Sequence, residues 1–66
     1  MEASDLRTAG EELYGRFWQT KLAKELKVDP STVRRWNSGA VAVPGPVAVA
    51  IRCMLRLKAL RDRGAA

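Results

Sequence analysis

Apolar residues recur at helical spacing, three or four apart, in four separated stretches of the chain. Leu13, Tyr14 and Phe17 make the first. Thr8 followed by Glu11 fits a capping box, so a helix is predicted from about Ala9 to Arg16, weakening at Gly15. Trp18 to Leu26 places Leu22, Ala23 and Leu26 on one face and leaves Lys21, Lys24 and Glu25 in water. Lys27-Val28-Asp29 then breaks the pattern. Asp29 is a good N-cap, and Pro30, with no N–H to satisfy, suits a first helical position. A third helix is expected from Pro30 to about Asn37, with Val33 and Trp36 turned inward and Ser38-Gly39 as its end. Ala40 to Pro46 reads as a loop, because Pro44-Gly45-Pro46 excludes regular structure and speaks against a strand at Val41-Ala42-Val43. Pro46 opens a last helix to about Arg61. Val47, Ala50, Ile51 and Met54 should close the core there, with Cys53 as a small packing residue and Gly64-Ala65-Ala66 as a frayed tail. The expected fold is all-α: a compact bundle of four to five short helices, one domain over residues 1–66, with its core at about 9–61.

Composition removes several functions. A chain of 66 residues is one small domain that buries only about 60% of its unfolded surface. One cysteine and no histidine allow neither an internal disulfide nor a zinc site, and no Ser–His or Cys–His nucleophile pair can form. The expectation is therefore a non-enzyme with no metal, no cofactor and no small-molecule ligand. No apolar run nears the ~18 residues that cross a bilayer, and MEASDLRTAG lacks the basic patch and apolar stretch of a secretory signal. A soluble intracellular protein without a membrane partner is expected.

Charge is unevenly placed. Residues 1–15 carry Glu2, Asp5, Glu11 and Glu12 against Arg7, a balance of −3. Residues 16–38 and 39–66 each balance at +4, which gives the net +5. Basic charge gathered away from the N-terminus, with a pI near 10.2, points to a polyanion.

The informative unit is the stretch Gln19–Asn37, QTKLAKELKVDPSTVRRWN, in which two helices flank a three-residue turn. Ala23 is small where a second helix would cross the first, Val28 is apolar in the turn, and Val33 is branched where it would face back. With those faces buried, Ser31, Thr32, Arg34, Arg35 and Ser38 are left on a polar, basic face. Such a helix fits the DNA major groove, where Arg bonds guanine twice and hydroxyls bond any base edge. Leu13 to Gly39, and more loosely to Leu57, resembles the lambda-repressor-like (Cro/repressor, XRE-type) helix–turn–helix transcriptional regulators. The resemblance is carried by Gln19, Leu22-Ala23, Leu26, Val28, Ser31-Thr32-Val33, Trp36 and Gly39; Trp18 and Lys27 depart from it, standing where a Ser or Thr cap and a glycine are usual.

The resemblance implies a double-stranded DNA-binding regulator, cytoplasmic and encoded by a bacterium or phage, of the kind found among small phage and anti-CRISPR-associated repressors. It implies base contacts from Ser31, Thr32, Arg34 and Arg35, and phosphate contacts from Gln19, Asn37 and Ser38; Lys21 and Lys27 are expected to add phosphate contacts through their charge. Leu55, Leu57 and Leu60 cannot all face one core, so a homodimer interface is expected there, holding two copies on an inverted repeat as an autorepressor. The alternative is an antitoxin-type or other interaction module that neutralises a protein partner.

Overall fold

Glu2, rather than Thr8, begins the first helix. A computed structural model gives the structure of residues 1–64. The first helix, α1, spans Ala3–Tyr14, and the Asp5 carboxylate accepts the Glu2 N–H at 3.1 Å to close its first turn. Thr8 lies inside the helix, where its hydroxyl donates to the Ser4 carbonyl at 3.0 Å. The apolar signal of this added length is a single residue, Leu6, which is fully buried. The core therefore begins ahead of residue 9.

Gly15, at φ 78°, stops α1 and leads into a 3₁₀ turn over Gly15–Phe17. Helix α2 spans Trp18–Leu26, as its pattern predicts, and α3 spans Pro30–Ser38. Helix α4 runs Gly45–Gly64, longer at both ends than expected; at its start the Pro44 carbonyl accepts the Ala48 N–H at 3.0 Å, which brings Gly45 into the first turn. The final Ala65-Ala66 of the predicted tail lies outside the described residues. The molecule is all-helical and compact, with no strand among the described residues.

Leu6, Ala9, Trp18, Leu22, Ala23, Val33, Trp36 and Ile51 form one core cluster. Gly10 admits it: a Cβ there would run into the Trp18 indole, 2.9 Å from its Cγ and closer still to the ring. Trp18 thus packs inside the protein, in place of a cap. Helix α1 touches every other helix, whereas α4 packs chiefly on α1 through Ala48 and Ile51. Two expectations for α4 change. Cys53 is exposed rather than packed, since it lies on the side of the helix away from Ile51. Leu55 is half-buried against the core, one turn beyond Ile51, so it is spent within the chain.

Candidate nucleic-acid interface

The turn between α2 and α3 is fixed by backbone hydrogen bonds. The Val28 N–H donates to the Ala23 carbonyl at 3.0 Å, and the Lys27 N–H to the Lys24 carbonyl at 3.3 Å. This paired arrangement requires a left-handed residue just past the helix, and Lys27 takes it at φ 58°, ψ 43°. Val28 turns inward against the core, as its apolar character predicts. Asp29 then caps α3 by accepting the Ser31 N–H at 2.9 Å.

With Val33 and Trp36 buried, 100° per residue puts Ser31, Arg34, Arg35 and Ser38 on the outer face of α3. Thr32 and Asn37 lie at its two edges, half-buried. Arg34 and Arg35 are exposed, and among the described residues neither guanidinium has a hydrogen-bond or ion-pair partner. Two unengaged forks on one helix face can bond guanine edges or phosphates.

The other expected contacts divide. The Ser31 hydroxyl donates to the Asp29 carboxylate at 2.7 Å, which leaves its oxygen free only to accept. The Ser38 hydroxyl donates to the Arg35 carbonyl at 3.0 Å and accepts the Ala40 N–H at 3.3 Å, so it finishes the helix. The Asn37 Oδ1 accepts from Arg7 Nε at 3.3 Å, tying α3 to α1 and leaving the amide N–H₂ without a partner among the described residues. Lys21 and Lys27 are exposed, and Gln19 is half-buried in the first turn of α2. Leu57 and Leu60 are about half exposed, unlike Leu55.

Asp29 is a site residue that sequence reasoning used only as a cap. It is exposed, and hydrogen bonds from the Ser31 N–H and then the Ser31 hydroxyl, with smaller help from Arg34 and Arg35, hold its carboxyl below the ordinary aspartate value. The Asp-Pro-Ser order was the available signal, because a Ser two residues after a cap is within reach of the same carboxylate. Elsewhere, a groove where α1, α2 and α4 meet is lined by Leu13, Tyr14, Glu25, Met54, Leu57 and Arg61, so Leu57 stands at the rim between this groove and the outer side of α4. Burial, and then Glu25, push the Tyr14 phenol up there. Among the described residues no group of three or more His, Cys, Asp or Glu could hold a metal ion, and no helix is long and apolar enough to cross a membrane. No family model, curated protein or solved structure matches the chain.

Proposed function

We propose that the chain is a sequence-specific double-stranded DNA-binding regulator whose α2–turn–α3 unit works as a helix–turn–helix. The observation that carries this reading is the outer face of α3, where Arg34 and Arg35 stand exposed, with no ion-pair partner among the described residues, beside a buried Val33–Trp36 stripe. Helix α3 enters the major groove. Arg34 and Arg35 supply donors for guanine, Thr32 and the Ser31 oxygen supplement them, and the Asp29 carboxylate offers an acceptor to a cytosine amino group. Lys21, Lys27, Gln19 and the Asn37 amide hold the flanking phosphates, which position the helix without reading sequence. One such helix reads only ~4–5 base pairs, so two copies on an inverted repeat would supply the rest.

Selection of bound sites from random duplexes, followed by Arg35→Ala, tests the reading. Arg35 is exposed on the face of α3 away from Val33 and Trp36, so its loss opens no cavity; it is expected to relax one position of each selected half-site by about 1–3 kcal/mol. Wild-type protein that enriches no sequence, or an Arg35→Ala variant that selects the same sites at the same strength, overturns the proposal.

A further inference from the structure

The outer face of α4 from Val49 to Leu60 presents a surface apart from the basic face of α3, and it includes the leucines expected to form a homodimer seam. Beyond Leu55 nothing in the helix is buried, yet Val49, Leu57 and Leu60 are 57%, 56% and 55% exposed. At 3.6 residues per turn these three share one side with the exposed Cys53, opposite Ile51. The stripe covers three turns, ~17 Å of helix. Ala50, Cys53, Leu57 and Leu60 keep the alternating three-and-four spacing of a two-helix seam. Arginines border it on both sides. Arg52, Arg56 and Arg63 lie along one edge and Arg61 along the other, all exposed. The sole acid of α4, Asp62, is on the inward side and already bonded to Lys58 at 3.0 Å.

Those borders decide the occupant. In a seam between two α4 helices of this chain, Arg56 of one copy would face Arg61 of the other if the helices ran parallel. Antiparallel helices would set like edges together, again arginine against arginine. Like charges at these flanking positions act against pairing, while acidic flanks favour it. We infer that the outer face of α4 is a docking site for an acidic amphipathic helix of a partner protein, one with leucine-type residues along its seam and Glu or Asp beside them. The arginines would meet the partner's carboxylates while Val49, Cys53, Leu57 and Leu60 lose their water. A homodimer seam at Leu57 and Leu60 is the rival that the charge pattern disfavours.

The test uses the full chain and two synthetic three-heptad peptides, both with leucine at the seam positions. One carries Glu and the other Lys at all flanking positions. The Glu peptide is expected to bind at least tenfold more tightly than the Lys peptide and to slow alkylation of Cys53. Leu57→Ser with Leu60→Ser should abolish that binding while leaving the chain folded at about 25 °C by circular dichroism, since both residues are about half exposed and serine lowers helix stability only modestly. Arg56→Glu with Arg61→Glu should reverse the preference toward the Lys peptide. Arg35→Ala should leave peptide binding unchanged, which separates this surface from the DNA face. Equal binding of both peptides, or none, overturns the proposal. So does a chain that sediments alone as a dimer dissociated by the two Leu→Ser changes, or one that prefers anionic phosphatidylserine vesicles or duplex DNA at this face to the Glu peptide.

Discussion

Lys27 occupies a backbone conformation that costs an L-residue with a Cβ roughly 1–2 kcal/mol relative to the right-handed region. The turn needs that conformation, and a glycine would adopt it freely, at some cost in unfolded-state entropy. Lys27→Gly is therefore expected to raise the unfolding free energy by up to about 1 kcal/mol in urea titration, while weakening DNA binding through loss of a phosphate contact. Opposite signs in the two measurements would identify a residue kept for binding at the expense of stability. Asp29 gives a pH prediction. Its carboxyl is held below the ordinary value by the Ser31 bonds, so its contribution to stability is complete above the unfolded value near 3.9 and is lost as pH falls through the folded one. Asp29→Asn should remove that acid-side decline in the thermal midpoint. A variant that loses stability between pH 5 and pH 2 as steeply as the wild type would show that other carboxylates carry the decline.

At the scale of elements, α2 and α3 were legible because each signal is local: a period, an Asp-Pro cap, a terminal glycine. The beginning of α1 was not, since Leu6 is its only fully buried side chain before Ala9 and one residue has no period. The Thr8–Glu11 pair matched a capping box by spacing alone, but Glu2 and Asp5 begin the helix earlier. The face of Cys53 was obscured by the density of apolar residues along α4, which support more than one stripe. The role of Gly10 was invisible for another reason: it depends on Trp18 crossing from the next helix. Gly10→Ala is expected to cost about 1–3 kcal/mol by overpacking, against the small gain that alanine gives a helix interior. For a domain of this size that is a fall of at least about 4 °C in midpoint by circular dichroism. An unchanged midpoint would mean that the indole can move aside freely.

For the whole molecule, the separation of charge would set how it meets duplex DNA under the proposed function. Acidic side chains crowd α1, and the unpaired Arg34 and Arg35 stand on α3, so the field is directional as well as net positive. If six phosphates are contacted per two copies, the log–log dependence of duplex affinity on salt should have a slope near −5. A slope near zero would leave the basic surface without a role in DNA binding. The sequence disclosed the sign of this field and the basic face of α3, but not which polar groups were already engaged. Ser31, Ser38 and Asn37 are partly spent on Asp29, on the helix end and on Arg7, and those bonds exist only once the chain is folded. The packing of the last helix on the first has a consequence for synthesis. Ile51 enters the core from α4, which packs chiefly on α1, so a growing chain cannot complete this core until α4 has been made. Until then α1, α2 and α3, each too short to hold its shape alone in water, lack the side chain that completes their core. The nascent chain is thus expected to reach its full stability only once α4 has emerged, whatever contacts α1 makes with α2 and α3 beforehand.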